Sequence, residues 1–144
     1  MLVRGDSRES PFLSKTQVMD MTVLQIDIET YSSVDLIKCG VYRYAEAHDF
    51  EILLFAYAYD DNPVEVIDLT NFESVPERVM RDLVNPGVVK TAFNANFERT
   101  CIAKEFDISC DPRQWRCTAV HALALGLPGN LAGVAEVLGL QEQK

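Results

Sequence analysis

The 144-residue sequence predicts one α/β domain in which helices flank a mixed β-sheet. Three observations lead to this prediction. A short apolar segment opens the domain, a hairpin follows it, and helical and extended patterns then alternate toward the end of the chain. With 48% hydrophobic residues, a chain of this length can bury a substantial core.

Three strands are predicted in the first half of the chain, over residues 22–28, 51–59 and 64–69. The first strand is apolar and β-branched. Residues 32–46 form a connection, which Gly40 punctuates and in which residues 41–44 look extended. The turn at residues 60–63 joins the second and third strands, so these two are predicted to form a hairpin.

Helices and strands alternate in the second half. The predicted helices span residues 71–83, 95–106, 119–125 and 131–138, and the predicted strands span residues 88–93 and 115–118. Ser74 and Glu77 have the spacing of a capping box for the first helix. Asn94 and Asn130 are candidate N-caps for later helices. Because no G-x-G-x-x-G motif follows the first strand, the sequence gives no support to a dinucleotide-binding fold.

Composition limits the location and the partners of the protein. The formal charge of −9 argues against a surface that holds nucleic acid through phosphate contacts alone, but bound metal ions can supply local positive charge. The four cysteines form no C-x-x-C pair, and they are expected to be reduced. No apolar segment approaches the roughly 20 residues of a membrane span, so we expect a cytoplasmic protein without a membrane partner.

The first twenty residues are interpreted separately from the domain. Residues 1–20 mix charges, serines and a proline without periodicity, and they lack the apolar centre of a signal peptide. We interpret them as a weakly ordered leader. The folded domain is expected over residues 21–144, where Met21 directly precedes the first strand.

Asp27 and Glu29 are the most informative residues, because they lie two positions apart at the end of the first strand. Such residues share one face of a sheet, at the edge where α/β sheets place their sites. Converging carboxylates repel each other unless a cation lies between them, and all-oxygen ligation suits Mg²⁺ or Mn²⁺. The alternative is that one side chain is a solvated charge and the other caps the next segment. The D-x-E pattern alone favours this alternative.

Glu98 supplies a third candidate carboxylate, in the first turn of the helix predicted after residues 88–93. By itself, a glutamate in this position is more typical of a residue that complements the helix dipole. If the preceding strand lies beside the first strand, however, Glu98 approaches Asp27 and Glu29. Three carboxylates from two strand ends form a better metal site than one pair does. The combination therefore favours a metal site.

Two motifs resemble those of a known nuclease family. I-D-I-E-T at residues 26–30 and F-N-A-N-F-E-R at residues 93–99 resemble the first two motifs of the DEDD 3′–5′ exonucleases, which have an RNase H-like fold. More narrowly, residues 24–143 resemble the N-terminal exonuclease domain of bacteriophage-type family A DNA polymerases. This resemblance extends through the ordered segments D-I-E-T-Y-S-S-V-D-L, K-C-G-V-Y-R-Y, F-E-I-L-L-F-A-Y, W-R-C-T-A and G-L-P-G-N-L.

The resemblance implies an activity and its context. It implies an RNase H-like fold and a proofreading exonuclease that removes nucleotides from the 3′ end of single-stranded DNA. A polymerase domain would follow in the same chain, and the protein would be a phage or prophage product in the bacterial cytoplasm. Two ions about 4 Å apart, Mg²⁺ or Mn²⁺, would activate a water and stabilise the leaving 3′ oxygen, which releases a nucleoside 5′-monophosphate.

The resemblance also implies roles for individual residues. The catalytic and metal-binding residues would be Asp27, Glu29 and Glu98. Asp27 would ligate both ions and Glu29 one of them, while Glu98 stands where the family more often has Asp. The substrate-binding residues would be Thr30, Tyr31 and Asn94. Thr30 and Tyr31 would contact the terminal nucleotide, and Asn94 would position the strand end.

The chain departs from the family at the third motif, in which Tyr or His is followed four residues later by Asp. Four residues beyond His121 is Leu125, and no tyrosine occurs after Tyr59. We therefore interpret the domain as C-terminally incomplete, and whether this chain is an enzyme stays open at this point. The alternative is a non-catalytic RNase H-like remnant that binds DNA ends or another protein. A missing last helix would expose a sheet face, which makes a second copy of the chain a candidate partner.

Overall fold

A five-stranded mixed sheet forms the centre of the computed structural model, which describes residues 21–140. The strands are β1 (Val23–Tyr31), β2 (Glu51–Tyr59), β3 (Glu65–Asp68), β4 (Val89–Ala92) and β5 (Trp115–Cys117). Their order is β3-β2-β1-β4-β5. β1 pairs antiparallel with β2 and parallel with β4, and β4 pairs parallel with β5. The mixed sheet and the β2–β3 hairpin are confirmed, and the predicted leader lies outside the described residues.

Five α-helices accompany the sheet among the described residues. They are α1 (Leu36–Ala45), α2 (Glu77–Val84), α3 (Ala95–Glu105), α4 (Thr118–Ala124) and α5 (Leu131–Val137). The Asn130 side chain accepts a hydrogen bond from the Gly133 amide, so the N-cap predicted for α5 is confirmed. None of the helices in residues 21–140 is long and apolar enough to cross a membrane.

The core lies on one face of the sheet. Along β1, the side chains of Leu24, Ile26 and Ile28 are buried, whereas Asp27 and Glu29 alternate with them on the exposed face. The aromatic residues Phe55, Tyr57 and Tyr59 of β2 are buried as well, together with Trp115 of β5 and apolar residues of α2 and α3. Because one face is packed and the other is open, the register of β1 determines which side of the sheet carries the acidic side chains.

Two predictions in the connecting segments were wrong. The segment predicted as an extended connection contains α1, because the Asp35 carboxylate accepts hydrogen bonds from the amides of Ile37 (3.0 Å) and Lys38 (3.1 Å) and starts a helix. The predicted capping box at Ser74 is not formed, and α2 begins only after Pro76. A proline disfavours helical backbone at the preceding residue, so the helix cannot begin earlier.

Gly40 bends α1 and is expected to be intolerant of substitution. Its backbone (φ 77°, ψ 166°) lies in a region that is essentially restricted to glycine. A Cβ atom there would meet no atom within 4 Å, so the cost of Gly40→Ala is backbone strain rather than a collision. We expect a loss of about 1–3 kcal/mol in the free energy of unfolding, measured by urea titration. An unchanged midpoint would show that α1 can straighten without cost.

Candidate metal centre

Asp27 lies beside the strand that leads to Glu98. β1 and β4 are parallel neighbours, with Gln25 paired to Thr91, so both strands run toward the same edge of the sheet. Beyond β4 the chain turns at Asn94 and enters α3, whose first turn carries Glu98. The adjacency of the two strands, on which the predicted approach of Glu98 to Asp27 depended, is therefore confirmed.

Glu98 is a buried carboxylate without a hydrogen-bond partner for one of its oxygens. The residue is only 4% exposed, and Oε2 has no partner among the described residues. The pKa of this carboxyl is raised from its ordinary 4.5 to about 7: burial is the largest cause and the negative charge of Asp27 adds to it, while a backbone hydrogen bond acts in the opposite direction. A buried, unpaired oxygen beside a second carboxylate is unfavourable without a compensating cation. The pair therefore fits a hard divalent ion such as Mg²⁺ or Mn²⁺.

Glu29 is not gathered into a cluster with these two residues. It is exposed, and it follows Asp27 on the same face of β1. Within residues 21–140, no three His, Cys, Asp or Glu side chains lie close enough together to hold a metal ion. The charge of Asp27 thus acts on the carboxyl of Glu98, and the ligand roles of Asp27, Glu29 and Glu98 stay predictions.

Thr30 and Tyr31 lie at the irregular end of β1. The pairing with β2 shifts register between Glu29 and Thr30, and such bulges often redirect side chains next to active sites. The Thr30 hydroxyl lies 2.9 Å from the Tyr44 hydroxyl, and Tyr31 is 50% exposed. Both residues directly follow the acidic segment of β1, but only Tyr31 has a large solvent-exposed side chain.

Asn94 does not cap α3 with its side chain, and this part of the prediction was wrong. Its backbone is left-handed (φ 70°, ψ 50°), and the side chain accepts no hydrogen bond from the first turn of the helix. The backbone carbonyl instead accepts a bond from the Phe97 amide at 2.8 Å. Asparagine tolerates this conformation better than most residues do, and the exposed amide is left available to a ligand.

The open face of the sheet forms a groove of about 250 Å³ that reaches Asp27. Its lining includes Asp27, Ala56, Ala58, Phe93 and Leu131. Most of this lining is apolar. The pattern of the sequence did not indicate Tyr44 as a neighbour of the site, because its contacts with Thr30 and Phe97 join segments that are distant in the chain.

Solved structures identify the class of fold. The chain is similar to NrnC of Brucella melitensis bound to pGG (TM-score 0.61, 18% identity), over 94% of this chain and 60% of that chain. It is similar to NrnC with bound Mg²⁺ (TM-score 0.60, 18% identity), over 94% of this chain and 61% of that one. A structure described as the apo form of the nuclease has a TM-score of 0.60 and 17% identity, over 85% and 54% of the two chains. The chain thus has the predicted RNase H-like α/β fold.

The sequence comparison connects this nuclease-type fold to a DNA polymerase. A DNA polymerase of Bacillus phage SP02 is 64% identical over 124 residues, which amount to 86% of this chain and 19% of that polymerase. The chain therefore spans about a fifth of the length of this relative. No protein-family model matches the chain. The similarity and the fold agree with the predicted resemblance to a polymerase exonuclease domain.

Proposed function

We propose that this chain is the metal-dependent 3′–5′ exonuclease domain of a phage or prophage DNA polymerase, with a proofreading role in the host cytoplasm. The observation that carries the proposal is the buried, unpaired Oε2 of Glu98 beside Asp27. The 64% identity to a phage DNA polymerase supports the polymerase context, with a polymerase domain C-terminal in the same protein. The similarity to NrnC, seen in one structure with Mg²⁺, supports a metal-dependent nuclease.

In this proposal the three acidic residues hold the cofactor. Asp27 and Glu98 present carboxylate oxygens from β1 and α3, and Glu29 adds a further carboxylate from the exposed face of β1. Bound Mg²⁺ or Mn²⁺ would supply the positive charge that polarises the scissile phosphodiester and makes a water nucleophilic. This local charge also offsets the acidic net charge of −9, which would otherwise repel a DNA strand.

The substrate-binding residues would hold the 3′-terminal nucleotide at the edge of the sheet. The half-exposed ring of Tyr31 can stack on a base, and the exposed amide of Asn94 can donate to a phosphate oxygen. The attacking water forms a new bond to phosphorus while the bond from phosphorus to the 3′ oxygen breaks. The products are a nucleoside 5′-monophosphate and a strand shortened by one nucleotide, with a free 3′ hydroxyl.

One observation favours a second candidate function. Within residues 21–140 no three potential metal ligands lie close together. A site with fewer than three protein ligands would hold its metal ions too weakly for catalysis. The chain would then be a non-catalytic RNase H-like module that binds DNA ends or another protein. The apolar groove beside Asp27 offers a surface to a second copy of the chain, and sedimentation equilibrium would detect such a homodimer.

A strand-degradation assay tests the proposed function. The 144-residue chain is incubated with a 5′-labelled single strand and Mn²⁺, and Asp27→Ala protein purified in parallel controls for contaminating nucleases. We expect the wild type to produce a ladder shortened from the 3′ end and to release nucleoside 5′-monophosphates. Asp27→Ala and EDTA should each abolish the ladder, because each removes the ions from the site.

The same assay separates the two candidates. Equal degradation by wild type and Asp27→Ala would overturn the assignment of the site. If neither protein degrades the strand, the catalytic proposal fails for this chain. Retention of a labelled 3′ end by the inactive wild type, measured by fluorescence anisotropy, would then support the end-binding module.

A further inference from the structure

Tyr44 connects the segments that carry the candidate site, although it lies in a different helix. It is at the end of α1 and is only 9% exposed. Its hydroxyl lies 2.9 Å from the hydroxyl of Thr30, which directly follows the register shift in β1. The Tyr44 ring lies 6.0 Å, centroid to centroid, from the ring of Phe97, the residue before Glu98. One side chain thus contacts the neighbours of both acidic segments.

Other contacts fix Tyr44 in this position. Its ring meets Phe50 edge-on at a centroid distance of 5.7 Å, and its carbonyl accepts a hydrogen bond from the Ser32 hydroxyl at 3.0 Å. Edge-to-face aromatic pairs are a favourable geometry, so the ring has little freedom to rotate away. The backbone conformation of Gly40 sets the direction of the last turn of α1, which carries Tyr44. A tyrosine held in this way provides a stationary hydroxyl.

We propose that Tyr44 is a positioning residue, whose hydroxyl orients the Thr30 hydroxyl toward the 3′-terminal nucleotide. This inference rests on the proposed exonuclease function. A threonine hydroxyl has one donor and two acceptor sites, so the bond to Tyr44 leaves capacity for a bond to the substrate. The bond also selects one rotamer of a β-branched side chain at a strand end where the regular pairing is interrupted.

The position of the bond determines which kinetic constant it affects. Thr30 and Tyr44 carry no charge, and the ion-holding role is assigned to the carboxylates of Asp27, Glu29 and Glu98. Loss of the Tyr44 hydroxyl should therefore weaken the binding of the strand end and leave the response to Mn²⁺ unchanged. Because one hydrogen bond that orients a substrate is lost, we expect a rise in KM of roughly five- to tenfold.

A double-mutant cycle on the 144-residue chain tests this inference. Tyr44→Phe keeps the ring and removes the hydroxyl, while Thr30→Val keeps the shape and removes its partner. We expect each variant to raise KM for the single strand, with kcat and the half-saturating Mn²⁺ concentration unchanged. The double variant should be no worse than Thr30→Val, because without the Thr30 hydroxyl the Tyr44 hydroxyl has no partner left to orient.

Two further variants separate positioning from general destabilisation. Tyr42→Phe is the matched control, since Tyr42 is in the same helix but is 62% exposed. It should leave KM unchanged. Thr30→Ser retains the hydroxyl and should preserve most of the wild-type KM. Thermal melting of each variant shows whether the fold is intact. If Tyr44→Phe does not fold, an unchanged KM in Thr30→Val would still overturn the inference, because no Thr30 hydroxyl would then need to be oriented.

The outcomes distinguish this inference from the proposed function. If the wild type degrades the strand and Tyr44→Phe has an unchanged KM, the positioning role is overturned and the exonuclease proposal stands. Additive effects in the double variant would also overturn the role, because the two hydroxyls would then act independently. If the wild type neither cuts nor binds a 3′ end, the proposed function fails and the role of Tyr44 fails with it.

Discussion

Replacement of Glu98 by Gln is expected to stabilise the metal-free protein above pH 7 and to abolish its metal-dependent nuclease activity. Burial and the nearby charge of Asp27 raise the pKa of the Glu98 carboxyl from its ordinary 4.5 to about 7. Between these two values the folded state binds more protons than the unfolded state does. In EDTA, the free energy of unfolding of the wild type should therefore fall as the pH rises from 4.5 to 7.

Glutamine removes the charge and keeps nearly the same shape. Each pKa unit corresponds to 1.36 kcal/mol, so at pH 8 in EDTA we expect a gain of roughly 2 kcal/mol, after allowance for the hydrogen-bonding needs of the new amide. The pH dependence between 4.5 and 7 should flatten in the same variant. Activity should fall by at least about 100-fold, because an amide is a weaker ligand than a carboxylate for a hard cation.

Urea titrations between pH 4 and 9, together with the strand-degradation assay, would measure both effects. Glu77→Gln is the matched control, because Glu77 is also in the first turn of a helix but is exposed. It should cost a few tenths of a kcal/mol through the helix dipole, and it should leave activity unchanged. A loss of stability in Glu98→Gln at pH 8 would contradict the view that the ionised carboxylate is unfavourable there.

Local patterns were sufficient to predict most of the sheet. β2 spans the predicted residues 51–59, because a continuous apolar and aromatic segment between turn residues has few alternatives to a strand. β1 extends three residues beyond the predicted end, through Tyr31, since its last residues pair with β2 despite their polar character. Pairing with a neighbouring strand, which is not visible in the sequence, determined this boundary.

Helix α1 could not be predicted from local residue preferences, because its formation depends on a cap and on contacts with another helix. Its sequence includes a glycine and several β-branched and aromatic residues, which favour extended structure when they are considered alone. The Asp35 cap and contacts with α3 outweigh these preferences, and Gly40 bends the helix. Because the role proposed for Tyr44 depends on this bend, the contact with Thr30 was also beyond local prediction.

The approach of Glu98 to Asp27 was predictable because it depends on two simple features of the fold. The strand period places Asp27 and Glu29 on one face, and the parallel pairing of β1 with β4 brings the start of α3 to the same edge. The burial of Glu98 was not predictable, since it results from packing around α3. This burial supports the predicted role of Glu98 as a metal ligand over the alternative that it complements a helix dipole.

Replacement of Lys90 by Ala is expected to destabilise the fold strongly. Lys90 is, like Glu98, a charged residue whose burial the sequence did not indicate. This lysine is fully buried in β4. Its Nζ donates to the carbonyls of Asn85 (2.9 Å) and Val88 (3.0 Å) and to Oε1 of Gln114 (2.6 Å). These acceptors belong to the turn before β4 and to the segment before β5. One ammonium group therefore connects the segments that precede two neighbouring strands, β4 and β5.

Lys90→Ala would leave a cavity and three acceptors without their donor. We expect a loss of about 3 kcal/mol in the free energy of unfolding, measured by urea titration at pH 7. Lys90→Met keeps the apolar stem and should lose less. The exposed Lys104 provides the control, and Lys104→Ala should change the free energy of unfolding by less than about 0.5 kcal/mol.

The pH dependence separates the charge of Lys90 from its packing. Burial lowers the pKa of this ammonium below its ordinary 10.5. Between the lowered pKa and 10.5, the lysine has lost its proton in the folded state but keeps it in the unfolded state. The free energy of unfolding of the wild type should therefore rise with pH in this range, relative to that of Lys90→Met. Parallel curves for the two proteins would show that the three acceptors compensate fully for the burial of the charge. The neutral carbonyls and amide would then stabilise the ammonium as well as water does, and the loss in Lys90→Ala would come from the cavity and the unpaired acceptors.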